Sequence, residues 1–444
     1  MAPAFVMLNC VPISRVANRG WRRECGRMIA KFLRMFGWVL GSGIAGCLAA
    51  EWPEFRGATG DGHADGSTLP LHWSPSSNVV WKVAIPGQAW SSPVVSSGRI
   101  YLTTAVGDRG NAPSLHVIAL EAKSGETIWD KQVLSPKKEV AMHGKNTHAS
   151  PTPILRAGKL YVHFGHYGTA CLDLDGKVLW RNESLAYPPV HGTGGSPVLV
   201  GNKLIFSCDG SSDPFVAALD ADTGKLAWRF ERKSSADRKF SFCTPTVIQL
   251  DGKTVVITPG SGVVNALDPE TGRELWRVTY GNGYSVVPKP LYGNGLLYVA
   301  TGFDRPSLLA IKPGGAGDTT SSNVVWTATK GVPNTPSLVL HGKEIYMVSD
   351  GGIASCLDAL TGVVHWSERV GGNYSSSIVA AGDRIYFQNE EGVATIVRAG
   401  KVFEKLATND LGERTLASYA ADGRALLIRT SEHLWRIEEA GAVQ

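Results

Sequence analysis

Residues 218–228 have the sequence ALDADTGKLAW, and residues 266–276 repeat it as ALDPETGRELW. Looser copies end at Trp129, Trp180, Trp326 and Trp366, with one deletion before Trp180 and a Gly-rich insertion before Trp326. Self-similarity at a regular spacing is the sequence signature of repeat architectures. The fold must therefore be built from one supersecondary unit used many times.

Each copy of this segment follows the same kind of upstream half. Before the first copy, the run SPVV at residues 92–95 leads through a Ser-Gly turn into the run RIYLT at 99–103. Runs of four to eight β-branched and aromatic residues between Gly, Pro and Asp indicate strands. Each repeat then supplies four strands, here named a to d, and the Thr-Gly turn joins c to d. No long amphipathic helix is predicted after residue 50, so the fold class is all-β.

Four-stranded units at roughly 40–50 residue spacing are typical of propeller blades. Residues 78–85 form a strand d without the three strands before it, and the chain ends on strands a to c without a strand d. Joining the two incomplete units removes exposed sheet edges. The prediction is an eight-bladed β-propeller over residues 78–437, with its last blade closed by an N-terminal strand. Eight blades are counted from the aromatic residue expected in each strand d: Trp81, Trp129, Trp180, Trp228, Trp276, Trp326, Trp366 and Phe403.

The first fifty residues differ in charge from the rest of the chain. They hold seven of the 44 basic residues but only one of the 39 acidic residues, so the remainder is close to neutral. The excess of basic residues therefore belongs to a leader and does not indicate nucleic-acid binding. Basic residues before an apolar run at 35–45 indicate an export signal, and the start of the leader is predicted at Met28. Residues 51–77 are interpreted as an N-terminal extension and 438–444 as a tail.

The cleavage site of this leader has two interpretations. Residues 44–47, Ile-Ala-Gly-Cys, resemble a bacterial lipobox, which would make Cys47 a lipid-bearing residue. Ordinary cleavage after Ala50 would leave no anchor. Either route predicts an exported protein in the periplasm or on the periplasmic face of the outer membrane, with any membrane attachment through lipid alone.

The pattern A-x-D-x-x-T-G-x-x-x-W resembles the tryptophan-docking motif of PQQ-type (pyrroloquinoline-quinone-type) propellers over residues 78–437. The resemblance implies that each Trp stacks between neighbouring blades against a Thr-Gly turn. The stretch WPEFRG at 52–57 is also similar to the opening of a group of exported PQQ-repeat proteins of planctomycete-type bacteria. The docking role is expected for Trp81, Trp129, Trp180, Trp228, Trp276, Trp326 and Trp366.

Two subfamilies share this architecture. BamB-type outer-membrane assembly lipoproteins are eight-bladed and non-catalytic, whereas quinoprotein alcohol dehydrogenases use PQQ and a metal such as Ca²⁺. The dehydrogenases resemble one another in a vicinal Cys-Cys disulfide, and this chain has no adjacent cysteines and no C-x-x-C-H motif. The cysteines after the leader are Cys171, Cys208, Cys243 and Cys356.

Alternating strand direction places the d–a and b–c loops on one face of the propeller. Loops of variable sequence are where binding residues concentrate. Polar and aromatic residues of these loops include His143, Lys145, His191, Arg238, Tyr284 and Phe303. A ligand site is predicted at the channel mouth, without a catalytic residue or a metal site. Its expected residues are His148, His166, Tyr167, Asp209, Asp304, Arg305, Asp350, Tyr374 and Arg414.

Several smaller patterns have two interpretations each. Histidines of neighbouring loops could bind a transition metal or simply donate to loop carbonyls. Asp209 and Asp213 are spaced loosely as in a calcium loop but also suit an ordinary turn. Arg305 and Arg414 could hold an anion or form salt bridges. Cys208 and Cys243 could form a disulfide between neighbouring blades.

Three functions are compatible with these features. The first is a non-catalytic envelope propeller that acts as a scaffold or binding protein for envelope proteins or a small ligand, similar to BamB-type proteins, with a monomeric propeller expected. The second is a PQQ-dependent oxidoreductase. The third is a glycan- or small-ligand-binding propeller, which Tyr167, Tyr284, Phe303 and Tyr374 motivate.

Overall fold

A computed structural model of the chain describes residues 51–439, apart from 65–67, 108–109 and 282. All described residues belong to the compact unit Ala49–Gln444. The expected leader, with Met28 and Cys47, lies outside the described residues, as do residues 440–444 of the tail. No helix in the described part of the chain is long and apolar enough to span a bilayer.

The strands of a repeat differ in burial. In blade 1, β3 (Arg99–Val106) and β4 (Ser114–Glu121) are buried along nearly their whole length, whereas β5 (Thr127–Leu134) is mostly exposed. A strand that is apolar on both sides needs cover on both sides of its sheet, and neighbouring blades provide that cover. The hydrophobic core is accordingly divided into clusters that lie between adjacent blades.

The first four blades follow the predicted a-b-c-d order. Blade 1 comprises β2 (Val94–Ser96) and β3 to β5. Blade 2 comprises β6 (Ile154–Arg156), β7 (Lys159–His163), β8 (Thr169–Asp173) and β9 (Val178–Asn182). Blade 3 comprises β10 (Val198–Val200), β11 (Lys203–Cys208), β12 (Phe215–Asp220) and β13 (Leu226–Glu231). Blade 4 comprises β14 (Thr246–Leu250), β15 (Lys253–Gly260), β16 (Val263–Leu267) and β17 (Glu274–Thr279).

The last four blades complete the ring. Blade 5 comprises β18 (Leu291–Gly293), β19 (Leu296–Ala300), β20 (Leu308–Ile311) and β22 (Val324–Ala328). Blade 6 comprises β23 (Val339–His341), β24 (Glu344–Val348), β25 (Ile353–Asp358) and β26 (Val364–Arg369). Blade 7 comprises β27 (Val379–Ala381), β28 (Arg384–Gln388), β29 (Val393–Arg398) and β30 (Lys405–Asp410). Blade 8 comprises β31 (Ala420–Asp422), β32 (Ala425–Arg429), β33 (His433–Ile437) and β1 (Val79–Ala84).

These eight sheets confirm the predicted eight-bladed propeller. Strand β1 pairs antiparallel with β33, so the N-terminal strand closes the last blade as expected. The Gly-rich insertion of blade 5 forms β21 (Gly317–Asp318), which adds a parallel fifth strand to blade 4. The helical residues in the described ranges are a short α1 (Thr320–Asn323) and a 3-10 turn at Gly165–Tyr167.

Six of the seven expected docking tryptophans contact the next blade through the same hydrogen bond. Trp228 is typical: its Nε1 donates to the carbonyl of Pro269 at 2.8 Å, in the c–d turn of blade 4. Its ring lies so close to Gly272 that a Cβ atom there would be 2.5 Å from the ring. Gly272 has a φ of +70°, which also favours glycine. The same indole-to-carbonyl bond is made by Trp81, Trp129, Trp180, Trp326 and Trp366, at 2.9–3.1 Å.

The other two blade junctions depart from this pattern. Trp276 is 1% exposed, but its Nε1 has no hydrogen bond within the described ranges, because the insertion of blade 5 replaces the Thr-Gly turn it would contact. The prediction of Phe403 as the closing aromatic of blade 7 was wrong. Register with β29 places Ala407 opposite Ile396, where the other blades have Trp. Phe403 instead packs edge-on against Trp366, with ring centroids 5.1 Å apart.

The N-terminal segment, residues 51–77, packs on the propeller over most of its described length. Trp52 exchanges two main-chain hydrogen bonds with Val95 of blade 1, and Ala64 donates to the carbonyl of Ala380 of blade 7. Farther on, Trp73 is buried and its main-chain N–H donates to Asn409 of blade 7. Blade 8 has no c–d turn because its strands c and d come from opposite ends of the chain. The segment therefore fills the junction of blades 7 and 8, where blade 7 has no docking tryptophan and blade 8 has no c–d turn.

Candidate ligand-binding site

A ring of hydroxyl groups surrounds the central channel just before each strand a. The main-chain N–H of Ser92 donates to Thr152 Oγ1 at 3.0 Å, and Thr152 N donates to Ser196 Oγ at 2.9 Å. The main-chain N–H groups of Ser196, Lys289, Ser337 and Ser377 donate in the same way to the next blade, so six blade junctions carry this bond in the described part of the chain. The chain thereby satisfies main-chain donors that β pairing does not reach. We name this ring the hydroxyl belt: Ser92, Thr152, Ser196, Thr244, Ser337, Ser377 and Ser418, with Lys289 at the equivalent position of blade 5.

Lys289 is a belt position that faces the N-terminal segment. The lysine is 4% exposed, and burial lowers its pKa, an effect that Glu54 opposes. Burial likewise raises the pKa of Glu54, and Lys289 is the larger of the two charges that oppose the rise. A Cβ atom on Gly60 would lie 2.5 Å from Lys289 Nζ, so the amine is pressed against the segment's backbone. A buried charge needs a partner of opposite sign, and the segment supplies one.

Arg56 anchors the same segment across the channel. Its side chain is 2% exposed and donates to the carbonyls of Asp61 and Leu338, both at 2.5 Å. Burial lowers the pKa of this guanidinium to about 10, which leaves it charged at neutral pH. Phe55, between Glu54 and Arg56, lines the cavity above. The N-terminal segment thus forms the floor of the channel.

Above this floor lies a cavity of about 470 Å³ that opens on the face predicted for the site. Ligand pockets typically measure about 300–1,000 Å³. Six belt hydroxyls contribute to its lining, those of Thr152, Ser196, Thr244, Ser337, Ser377 and Ser418. Its aromatic lining residues are Phe55, Trp90, Phe240, Phe242, Tyr284 and Phe303.

The aromatic side chains form a continuous arc on one wall of the cavity. His191 meets Phe240 edge-on with centroids 5.3 Å apart, and Phe240 meets Tyr284 in the same way at 5.5 Å. Tyr284 then lies 6.3 Å from Phe303. Burial is the largest cause of the lowered pKa of His191, so this imidazole is neutral at pH 7. The arc combines apolar ring surface with hydrogen-bonding edges.

Charged residues at the cavity are few and mostly neutralised. Lys145 Nζ forms an ion pair with Glu390 of blade 7 at 2.7 Å, although it comes from the loop between blades 1 and 2. Asp350 accepts from Asn334 N at 2.6 Å and from Thr335 Oγ1 at 2.7 Å. Arg238 lies over the ring of Tyr284, with its guanidinium carbon 4.7 Å from the centroid. Within the described ranges, no carboxylate lies within ion-pair distance of Arg238.

The structure places one of the nine expected site residues on the cavity wall, and this residue is Asp350. Two others contact lining residues: Asp304 accepts from Tyr284 Oη at 3.3 Å, and Arg414 lies 5.9 Å from the ring of Trp90. Arg305 is exposed in the same loop as Asp304.

Three of the expected residues pack together between blades. His166 and Tyr167 have ring centroids 3.9 Å apart, and His148 meets Tyr167 edge-on at 5.4 Å. His148 Nε2 lies 3.4 Å from Glu139 Oε1, and Tyr167 Oη accepts from Val140 N. Burial lowers the pKa of His166 to about 4, so it is neutral at pH 7. This group is part of the packing of the blades.

Asp209 and Tyr374 are also buried. Asp209 Oδ1 accepts from Arg232 Nε at 3.0 Å, and both side chains are completely inaccessible to solvent. Asp209 therefore serves an internal ion pair, although burial still raises its pKa to about 6. Tyr374 belongs to the apolar cluster between blades 6 and 7. The described cysteines, among them Cys208 and Cys243, are free thiols.

Several lining residues were not predicted, chiefly Phe55, Trp90, Phe240 and Phe242. The recurring Ser or Thr before seven of the eight strands a is visible in the sequence but was interpreted only as part of a strand. Phe55 lies in the stretch WPEFRG at 52–57, which was noted only because it is similar to the opening of a group of exported PQQ-repeat proteins. Neither pattern shows by itself which residues meet at a central channel.

The cavity fits a calcium-bound quinone poorly. Ca²⁺ takes six to eight oxygen ligands, usually with several carboxylates among them. Asp350 is the carboxylate on the lining in the described part of the chain, and both its oxygens already accept hydrogen bonds. The described cysteines are buried in the blades. The lining therefore offers a metal too few free oxygen ligands.

A family model described as "Outer membrane protein assembly factor BamB" matches residues 71–212, 115–280 and 315–431. The outer membrane protein assembly factor BamB of Burkholderia pseudomallei is 25% identical over 211 residues, which is 46% of this chain and 48% of that protein. The quinohemoprotein alcohol dehydrogenase ADH IIB of Pseudomonas putida is 27% identical over 246 residues, 53% of this chain and 31% of that protein. The chain thus spans less than half the length of these curated relatives.

The solved structure of BamB from Moraxella catarrhalis is similar in fold. It superposes with a TM-score of 0.57 at 14% identity, covering 82% of this chain and 98% of that chain. At this identity the likeness concerns the fold alone. The family match extends over most of the propeller, and the repeats, the blades and the docking tryptophans agree with it. The chain belongs to the family of PQQ-type repeat β-propellers whose matching model is described as outer membrane protein assembly factor BamB.

Proposed function

We propose that this chain is an exported, non-catalytic propeller of the cell envelope that binds a small ligand in the cavity at its channel mouth. The observation that carries the proposal is a cavity closed from below by the chain's own N-terminal segment and lined by aromatic rings and hydroxyl groups. A mostly apolar concave site with a few placed polar groups is the usual form of a small-ligand site. Asp350 is the lining carboxylate among the described residues, and each of its oxygens already accepts a hydrogen bond, which favours binding over acid–base chemistry.

Ligand binding can be tested directly by thermal shift and titration calorimetry on the full chain. A ligand that binds only the folded state raises the melting temperature by mass action. The compounds are simple saccharides, amino acids, and PQQ with and without Ca²⁺. Saturable binding that Phe240→Ala weakens supports the proposal, with exposed Val402→Ala as the control. If no compound class binds, or if Phe240→Ala has no effect on binding, the proposal is wrong.

The PQQ-dependent oxidoreductase is distinguished in the same experiment. It requires PQQ to bind with a Ca²⁺ dependence and the loaded protein to reduce an electron-accepting dye when alcohols are added. The relatives include quinohemoprotein alcohol dehydrogenases, so this arm is necessary. Calcium-dependent PQQ binding together with dye reduction would replace the non-catalytic proposal.

A scaffold role for envelope proteins is a second candidate, which the outer strands of the blades favour. Val80, Ile128 and Val325 each precede a docking tryptophan and are 43–53% exposed. Blade 4 already accepts β21 as an additional outer strand, so such an edge can pair with an extended segment. A protein partner captured from envelope extracts should be lost when Ile128 and Val325 are changed to Lys. Retention of every captured partner by this variant would contradict the role of these edges.

A further inference from the structure

Six hydroxyl groups of the belt have O–H donors that no protein atom accepts in the described part of the chain. The Oγ atoms of Thr152, Ser196, Thr244, Ser337, Ser377 and Ser418 each accept a main-chain N–H of the preceding blade. Within the described ranges, none of these six hydroxyls donates to a protein acceptor. Each also lines the cavity. A hydroxyl can donate one hydrogen bond and accept two, so the belt presents up to six free O–H donors around one space.

The belt encloses an apolar floor. Phe55 is held at the bottom of the cavity by the buried anchors on both sides of it in the sequence, Glu54 beside Lys289 and Arg56 on the carbonyl of Leu338. The aromatic arc of Phe240, Tyr284 and Phe303 provides further apolar surface on one wall. A matching ligand has an apolar face and carries oxygen atoms around its edge. A sugar ring has this distribution of C–H faces and peripheral hydroxyls.

We propose that the cavity binds a saccharide, with Phe55 against one face of a sugar ring and the belt hydroxyls donating to its peripheral oxygens. This inference rests on the proposed ligand-binding function and names the class of ligand. The cavity volume of about 470 Å³ suits a mono- or disaccharide. Donors on the protein and acceptors on the ligand would then be paired around the ring.

The charges at the cavity favour an acidic sugar. Lys145 is neutralised by Glu390, and Asp350 is engaged by Asn334 and Thr335. Arg238 is the lining cation without a carboxylate partner in the described part of the chain, and its Nη1 donates to Tyr284 Oη at 2.5 Å. A guanidinium has further N–H donors in a planar fork, which suits a carboxylate. The expected order of affinity is therefore uronic acid, then neutral sugar, then amino sugar.

Titration calorimetry on the full chain tests this order with the uronic, neutral and amino forms of glucose, galactose and mannose. At least one series should bind in the stated order. Arg238→Gln should remove the preference for the acidic form and leave the neutral form unaffected. A preference that Arg238→Gln does not change would overturn the acidic-sugar assignment.

Variants of the belt test the hydrogen bonds to the ring. Ser196→Ala should lower affinity by about tenfold, the effect of losing one good hydrogen bond, and Ser196→Thr should restore it. Ser92→Ala is the control, since the Ser92 hydroxyl has no hydrogen-bond partner in the described part of the chain and does not line the cavity. Phe55→Ala should lower affinity by at least as much as Ser196→Ala. Circular dichroism below the melting transition verifies that each variant is folded during titration.

The two proposals fail in different ways. If PQQ or an amino acid binds in a manner sensitive to Phe240→Ala but no sugar binds, the saccharide assignment is wrong and the ligand-binding function stands. If a sugar binds but Ser196→Ala and Ser92→Ala behave alike, the belt does not recognise it. If nothing binds at all, both proposals are wrong.

Discussion

The contact between a docking tryptophan and a glycine is the smallest unit that holds neighbouring blades together. Gly272 and Gly252 both have a φ near +70°, but a Cβ on Gly272 would meet Trp228 at 2.5 Å, whereas a Cβ on Gly252 has nothing within 4 Å. Gly252→Ala should cost about 1–2 kcal/mol from backbone strain alone. Gly272→Ala should cost about 1–3 kcal/mol more through the clash. Urea unfolding of both variants measures the difference. Equal losses of unfolding free energy would show that Trp228 can move away from an added Cβ at little cost.

His163 makes stability depend on pH at the residue scale. It is 2% exposed, and burial, helped by His166, lowers its pKa to about 3. The unfolded chain binds a proton there below about pH 6.5, but the folded chain does not. The free energy of unfolding should therefore fall as the pH drops from 6.5 towards 3, by up to about 1.4 kcal/mol per pH unit for this group.

His163→Gln removes this titrating group and keeps a polar side chain near Thr169, the hydrogen-bond partner of His163 at 2.8 Å. The dependence of unfolding free energy on pH between 6.5 and 4 should become shallower than in the parent chain. Urea titrations at four pH values measure it. An unchanged slope would mean that His163 is protonated in the folded state as readily as in the unfolded state.

Sequence patterns predicted little about the N-terminal segment, although the tertiary structure depends on it at several places. It seals the junction of blades 7 and 8, closes the channel and places Phe55 in the cavity. Its attachment at Glu54 and Lys289 involves two groups whose pKa values burial shifts in opposite directions. Removing one charge leaves the other buried without its partner.

Glu54→Gln and Lys289→Met should therefore each destabilise the protein, and the double variant should lose less than the two together. A coupling energy of about 1–3 kcal/mol is expected for neighbours of this kind. The control cycle uses Arg398 and Glu404, an exposed pair at 2.8 Å, for which about 0–1 kcal/mol is expected. Chemical denaturation of both cycles measures the coupling. Additive losses at Glu54 and Lys289 would show that the segment is held by its other contacts.

At the scale of the whole molecule, ring closure decides whether the propeller exposes a sheet edge. Strand β33 pairs with β32 on one side and with β1 on the other. A chain that begins at residue 86 lacks β1 and leaves β33 as a free edge beside the buried Trp435. Such edges promote association. This shortened chain should form oligomers or aggregate in light scattering, and a peptide of residues 68–85 added in trans should restore the monomer.

A chain that begins at residue 51 is the matched control and should stay monomeric. It keeps β1 and the N-terminal segment with all their described contacts to blades 1, 7 and 8. If the chain that begins at residue 86 is as monomeric and as stable as this control, closure by β1 contributes little. The same comparison reports on the junction between blades 7 and 8, because Trp73 is lost with β1.

The sequence by itself determined the repeat, the number of blades and the closure of blade 8. These follow from local rules: strand length, turn residues and the spacing of Trp after the c–d turn recur in most units and need no distant partner. Even here the register of blade 7 was not visible, because Ala407 takes the tryptophan position and Phe403 only resembles it in type. Because Ala407 lacks the large aromatic side chain of the repeat, the sequence pattern does not identify its position.

Only the tertiary structure decided which residues meet at the channel. The loop that carries a residue can be predicted, but whether its side chain turns to the channel or between the blades depends on packing with neighbours far away in the chain. Asp350 turns to the cavity, whereas Asp209 pairs with Arg232 inside the wall. The floor is likewise decided by long-range contacts, because Arg56 finds its acceptor at Leu338, 282 residues away. The local repeat specifies the ring, and the contacts across the ring specify the site.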